Sequence, residues 1–278
     1  MYIMEINVRD LQDVLYKMMK DFHNVCIKND ITYYMLGGTC LGAKRHQGFI
    51  PWDDDMDIGI PRKDYDRFCY YAKKWLPNYM ELRYYRNTSN SPFHFVKLIN
   101  KNTTLIEQNY KNYYEGIYID IFPLDGVLSQ SFLERIRCKM VWKVHSIIMD
   151  HCSSEKKKTF FDNMKLRIKK IISLRWLHYI LEKLMTLNKK HAPLFWANFL
   201  GAYREKEVVP CEVFGVPTLY KFEEAQFFGP EKIDDYLSIL YGDYMKLPPV
   251  KERKNYHNYY FVDFDTPYKN YLHHNKSV

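Results

Sequence analysis

No two of the six cysteines (Cys26, Cys40, Cys69, Cys138, Cys152 and Cys211) form a C-x-x-C pair, and no histidine stands at finger spacing from them. This excludes a dense disulfide framework and argues against a structural zinc site. No run reaches the ~18 uninterrupted apolar residues that a membrane-spanning helix needs. The opening Met1-Tyr2-Ile3-Met4-Glu5 lacks the basic-then-apolar order of a secretory signal. We therefore expect a reduced, cytoplasmic protein. The chain carries no internal repeat and no low-complexity tract. What it does carry is an ordinary globular balance, 47% apolar and 27% charged over 278 residues, which excludes disorder of the whole chain. That length suits about two domains and can bury a core without staples. Aromatics reach 17%, with 25 tyrosines, so polar-tipped rings must line much of the surface or a groove.

The net charge of +8 is uneven. Between residues 164 and 191, Lys165, Arg167, Lys169, Lys170, Arg175, Lys183, Lys189 and Lys190 face only Glu182, so this stretch alone holds +7. The same stretch is amphipathic. One reading is a surface that docks on anionic inner-leaflet lipid; the other is a solvated face over core packing. Charge alone permits nucleic-acid binding, but no fold signature supports it, and none is expected.

Apolar spacing predicts a helix over 8–26, a strand over 31–36, a short helix over 39–45, a strand over 56–60 and a helix over 62–75. Strand-like runs follow at 81–86, 94–99 and 116–122. Ser131-x-x-Glu134 has the form of a capping box and predicts a helix of about 18 residues after it. Helical stretches are expected at 159–173, 175–190 and 231–241, the last ended by Gly242. This divides the chain into an α/β core over 1–127, a helical subdomain over 128–204, and a part over 205–278 that packs back on the core.

Four carboxylates fall within five residues, at Asp53, Asp54, Asp55 and Asp57. Such a cluster repels itself unless a cation neutralises it, and hard oxygen ligands select Mg²⁺ or Mn²⁺. In a strand, Asp55 and Asp57 share one face while Met56 and Ile58 point to the core. Asp120, flanked by apolar neighbours in Tyr118-Ile119-Asp120-Ile121-Phe122, is the expected third ligand, because a lone buried aspartate is costly without a partner. Asp53 and Asp54 are left open: a solvated turn, or residues that orient a water or the acceptor hydroxyl. Upstream, Gly37-Gly38-Thr39 stands between a strand and a short helix, where glycines allow close backbone approach and helix-start amides with the Thr39 hydroxyl can hold a phosphate. This order, with a third aspartate on a later strand, resembles nucleotidyltransferase-fold enzymes of the polymerase-β type. The fold expected is α+β, a mixed sheet with flanking helices.

The resemblance extends to a family. Leu41 through Ile58, Gly116-Ile-Tyr-Ile-Asp-Ile-Phe-Pro-Leu-Asp-Gly126 and Tyr241-Gly-Asp-Tyr-Met-Lys-Leu-Pro-Pro249 together resemble the LicD family, which includes bacterial phosphocholine transferases and has fukutin and fukutin-related protein as relatives. The match runs from about residue 30 to 257 and is weakest in the middle. The zinc-binding insertion of fukutin-related protein has no counterpart here. The resemblance implies transfer of a substituted phosphate, usually phosphocholine, from a CDP-activated donor to a hydroxyl of a surface glycan such as lipopolysaccharide, teichoic acid or capsule, with release of CMP. It implies that Asp55, Asp57 and Asp120 hold Mg²⁺ on the donor pyrophosphate, and that Arg45 and His46 serve the site while Lys44 is solvated. Lys97, mid-strand, is a weaker candidate for a phosphate contact, and Glu107 matches a family position without a role. Trp52 and the tyrosines could cage a choline headgroup, but nothing in the sequence selects the rings. The alternative is a true nucleotidyltransferase passing NMP from an NTP; a binding protein without catalysis fits poorly with an intact acidic cluster.

Overall fold

The computed structural model describes residues 7–88, 91–107, 114–152, 172–254 and 259–274. Helix α1 (Val8–Lys28) begins where the Asn7 side chain accepts the Arg9 N–H, and its apolar stripe from Leu11 to Cys26 is buried. The chain then forms β1 (Tyr34–Met35), α2 (Gly37–His46), β2 (Asp57–Pro61), α3 (Arg62–Trp75), β3 (Met80–Arg83), β4 (Val96–Asn100), β5 (Thr104–Glu107) and β6 (Tyr118–Val127). The main sheet has the order β1-β2-β6-β4-β3. Strands β2 and β6 run parallel, and the other neighbours in this order are antiparallel. This is the mixed α+β architecture expected.

Two strands differ from expectation for physical reasons. The strand read over 31–36 contracts to two residues, because its only ladder is Tyr34↔Gly59 and Met35↔Ile58 at the sheet edge. The strand read as ending at Phe122 continues through Pro123 to Val127. Asp120 N–H donates toward β2, so by alternation the Pro123 nitrogen faces the β4 side, where pairing has ended at Ile121 while the β2 ladder continues. The end of β6 then pairs with β7 (Phe195–Ala197), which pairs with β8 (Val208–Pro210).

Helix α4 (Phe132–Cys152) is longer than expected, at 21 residues. Its capping box is half formed: the Ser131 hydroxyl accepts the Glu134 N–H, while the Glu134 carboxylate turns to the Leu128 N–H and Arg137. Helix α5 (Leu174–Met185) packs along α4. The stretch read as helical over 159–173 lies, as far as residue 171, outside the described residues. The remainder comprises α6 (Cys211–Phe214), the hairpin β9 (Thr218–Phe222) and β10 (Ala225–Gly229), α7 (Ile233–Tyr241) ended by Gly242, β11 (Tyr259–Asp263) paired with β5, and α8 (Tyr268–His274). All six cysteines are thiols. Among the described residues no helix is long and apolar enough to cross a membrane.

A buried ion pair ties α3 to the sheet. Arg62 Nε and Nη2 each donate to the Asp125 carboxylate at 2.7 Å. Arg62 also reaches Asp66 at 3.4 Å and Glu182 at 3.5 Å. A planar guanidinium suits this two-point pairing.

Candidate active site

Parallel pairing of β2 and β6 sets Asp57 directly opposite Asp120. Antiparallel pairing of β6 with β4 sets Lys97 opposite Asp120 on the other side. Met56 and Ile58 are fully buried, the hydrophobic pegs that alternation predicts. The turn before β2 is held from below by Gln12 of α1, whose side-chain amide donates to the carbonyls of Asp53 at 2.8 Å and Ile50 at 3.3 Å. Asp53, Asp54 and Asp55 can bring carboxylate oxygens within 4.8 Å of one another. The structure thus places Asp53 and Asp54 in one acidic group with Asp55, and Asp57 with Asp120 beside it.

Helix α2 points its first turn at this group. Gly37 has φ +48°, and a Cβ there would lie 3.3 Å from Asp57 Oδ2. A Cβ on Gly38 would lie 2.7 Å from Asp53 Oδ2, closer than a real side chain allows. The two glycines therefore let carboxylates rest against a helix N-terminus, which favours negative charge. Gly37 N–H donates to the Tyr236 hydroxyl of α7 at 3.1 Å. The Thr39 hydroxyl accepts the Asp57 N–H at 2.8 Å and so fixes the start of β2.

Burial pushes the Asp57 carboxyl well above its ordinary range, and the charges of Asp55, Asp120 and Asp53 push it further. Asp120 is raised to about 8 by burial, with Lys97 opposing and Asp55 adding. Asp120 Oδ1 is buried without a hydrogen-bond partner. Carboxylates that repel one another, with an oxygen left unsatisfied, are what a hard divalent cation relieves. The residues present fit Mg²⁺ or Mn²⁺.

Lys97 is 1% exposed. Its ammonium lies 2.8 Å from Glu115 and 3.3 Å from Glu107, and over the Tyr118 ring at 3.2 Å. Glu107, which the sequence left without a role, is thus one of the carboxylates Lys97 pairs with and also accepts from the Tyr118 hydroxyl. Arg45 Nη1 donates to the Tyr244 carbonyl at 2.8 Å, and its Nε to His46 Nε2 at 3.0 Å. Burial and the neighbouring Arg45 hold His46 below its usual range, as an accepting nitrogen requires. Lys44, expected to be solvated, pairs with Asp234 at 2.8 Å.

A cavity of about 1140 Å³ opens over the acidic group. Gly37, Gly38, Arg45, Asp53, Asp54, Asp55 and Asp57 line it, whereas Thr39, His46, Lys97 and Asp120 do not. The opposite wall comes from α4, through Trp142 and His145, and from the loop between β7 and β8. Glu207, which sequence reasoning missed, organises that loop by accepting from Asn198 Nδ2 at 2.6 Å and the Tyr203 N–H at 2.8 Å. Burial raises its carboxyl to about 7 against those two bonds. Nothing in an irregular stretch signals such a pairing. Gln12 was legible in principle, as the one amide on the buried stripe of α1.

A family model described as LicD/FKTN/FKRP, nucleotidyltransferase domain, matches residues 30–168, half of the chain. The lipopolysaccharide cholinephosphotransferase LicD of Haemophilus influenzae is 28% identical over 270 residues, 91% of this chain and 97% of that protein. An uncharacterized protein of Rickettsia typhi is 49% identical over 70 residues, 25% of this chain and 21% of its own. Human ribitol 5-phosphate transferase FKRP is 50% identical over 34 residues, 12% of this chain and 7% of that protein. With a glycine-led helix start, an aspartate cluster and a cross-strand Asp57–Asp120 pair at one cavity, the chain belongs to the LicD family.

Proposed function

We propose that this protein transfers phosphocholine from CDP-choline to a hydroxyl of a cell-surface glycan, with Mg²⁺ and with release of CMP. The observation that carries the reading is the acidic cavity in a chain that aligns almost end to end with a lipopolysaccharide cholinephosphotransferase. The proposed core is of the nucleotidyltransferase type, consistent with the description of the matching family model. Asp55, Asp57 and Asp120 are the proposed ligands, and Asp53 and Asp54 complete the anionic rim. A bound divalent cation would offset the charge that develops on the leaving phosphate. The acceptor oxygen forms a bond to the choline-bearing phosphorus. The bond from that phosphorus to the bridging oxygen breaks, its electron pair leaves with CMP, and a cavity carboxylate takes the hydroxyl proton. The chain's own work is positioning and charge balance, which phosphoryl transfer mostly needs. On this reading the first turn of α2 and Arg45 hold the donor phosphates.

The acceptor is glycan, lipid-linked on this reading, and the protein acts at the inner face of the membrane. Support comes from exposed Phe132, Leu133, Trp176 and Tyr179 on α4 and α5, interleaved with exposed Arg135, Lys139, Arg175 and Lys183.

The test is thermal unfolding and CMP release with CDP-choline, CDP-ribitol, CDP-glycerol and CTP, in Mg²⁺ and in EDTA. A ligand that binds only the native state raises the midpoint. A metal-dependent shift and CMP release with CDP-choline, both lost in Asp57→Ala, are expected. Pyrophosphate release from CTP would instead establish the nucleotidyltransferase alternative, and full activity in a folded Asp57→Ala would remove the site assignment.

A further inference from the structure

We propose that Phe95, Phe122 and Trp142 form the compartment that receives the trimethylammonium end of the donor and so selects choline over other alcohols. The proposal rests on the donor reading above and adds which rings make the choice.

Register brings the rings beside the carboxylates. Asp120 and Phe122 are two apart on β6 and share one face of the sheet. Val96 pairs with Ile121, so the next position, Phe95, meets Phe122, and the two ring centroids are 4.3 Å apart. Strand rise puts this apolar floor about 7 Å along from the aspartate row. Gly59, opposite Phe122 on β2, adds no side chain of its own, and Leu36 fills the space above it. A phosphate held at the aspartates therefore extends a short two-carbon arm over Phe122 and Phe95. Trp142 of α4 faces the same cavity, and Phe199 meets it edge-on at 6.4 Å, fixing its plane.

Three other aromatic faces on the cavity, those of Trp52, Phe199 and Tyr241, are less suited. The Arg253 guanidinium lies 5.7 Å from the centre of Trp52, and Arg137 lies 5.3 Å from the centre of Phe199. A second cation at either ring would meet like charge. The Tyr241 hydroxyl reaches toward the start of α2, 3.7 Å from the Cβ position of Gly37, so that ring offers a polar tip beside the phosphate end. Among the described residues no lysine or arginine lies over Phe95, Phe122 or Trp142. Phe95 and Phe122 are almost buried, at 6% and 7% exposure.

The chemistry matches one headgroup. A trimethylammonium has no hydrogen to donate, so a dry aromatic floor costs it no hydrogen bond while the ring faces attract its charge. The ammonium of ethanolamine and the hydroxyls of ribitol or glycerol would lose water there without replacement. The nearby acidic rim adds a favourable field for a cation and none for a neutral polyol.

The experiment is equilibrium titration of CDP-choline, CDP-ethanolamine and CMP in Mg²⁺, with the full chain and with Trp142→Leu, Trp142→Phe and Phe122→Leu. Circular dichroism confirms that each variant is folded. The full chain is expected to prefer CDP-choline over CDP-ethanolamine by about tenfold or more. Both leucine variants lose most of that preference with CMP affinity unchanged, and Trp142→Phe keeps it. A preference that survives in both leucine variants overturns the proposal, as does a parallel fall in CMP affinity, which would mean the rings hold the base. A full chain that binds CMP but shows no affinity for CDP-choline overturns the donor reading itself, and this proposal with it.

Discussion

Two aspartates of β6 illustrate how a fully engaged carboxylate differs from an unsatisfied one. Asp125 is buried but fully engaged, with both oxygens on Arg62. Asp120, five residues earlier, is raised to about 8 and keeps one oxygen without a hydrogen bond. Asp125→Asn would remove the charge that balances the buried guanidinium and leave it one amide acceptor there, with the longer contacts to Asp66 and Glu182. Breaking a buried pair this way costs about 3–5 kcal/mol, and the residual contacts put the expectation at the lower end. Asp120→Asn removes a repelling charge, so we expect equal or higher stability without metal and no turnover. Denaturant unfolding in EDTA, alongside CMP release, checks both. Equal destabilisation at the two positions would refute the distinction.

At the scale of elements, α4 has two distinct faces. Trp142 and His145 line the cavity, whereas Phe132, Leu133, Ile136 and Met140 are exposed along another stripe. Helix α5 exposes Trp176 and Tyr179, with Lys183 near the Tyr179 ring. Amphipathic faces edged with lysine and arginine bind anionic interfaces. We expect the protein to sediment with vesicles containing anionic phospholipid, less so at high salt, and not with neutral vesicles. Leu133→Glu combined with Trp176→Glu should abolish sedimentation while CMP release from the donor with a soluble acceptor persists; unchanged sedimentation would exclude these helices as the docking face. These elements also mark how far sequence reasoning reached. Helices α1 and α3 and strand β2 were legible because a single face repeats over several residues. The acidic group was legible because its members are contiguous. Strands β7 and β8 have three residues each, too few for alternation to show. The partners Arg62–Asp125, Lys97–Glu115 and Gln12–Asp53 lie far apart in sequence, and only the packed fold brings them together.

For the whole molecule, the acidic group links folding to pH and, on the proposed function, to a divalent cation. In the unfolded chain an aspartate loses its proton near pH 4. In the fold, Asp57 is held well above that value and Asp120 up to about 8, burial being the largest cause for both. At these two carboxyls the native state therefore binds more protons than the unfolded chain from about pH 4 to 8, whereas His94, His145 and His178, held below the usual histidine range by burial, bind fewer up to about pH 6.5. Stability depends on pH through the unfolded-minus-native proton count; the histidines offset the carboxyls below about pH 6.5, and above it the count is negative, so the metal-free protein loses stability as pH rises from there to about 8. Raised carboxyl groups give this sign; ordinary salt-bridged carboxylates give the opposite one. A divalent cation competes with the same protons, so its binding tightens as pH rises. The unfolding midpoint in EDTA should therefore fall from about pH 7 to about pH 8, and the gain on adding Mg²⁺ should be larger at pH 8 than at pH 7. Asp57→Asn should flatten the EDTA slope and reduce the Mg²⁺ gain together. A flat slope in the parent chain, or a Mg²⁺ gain indifferent to pH, would mean that these carboxylates are not the ones the cation holds.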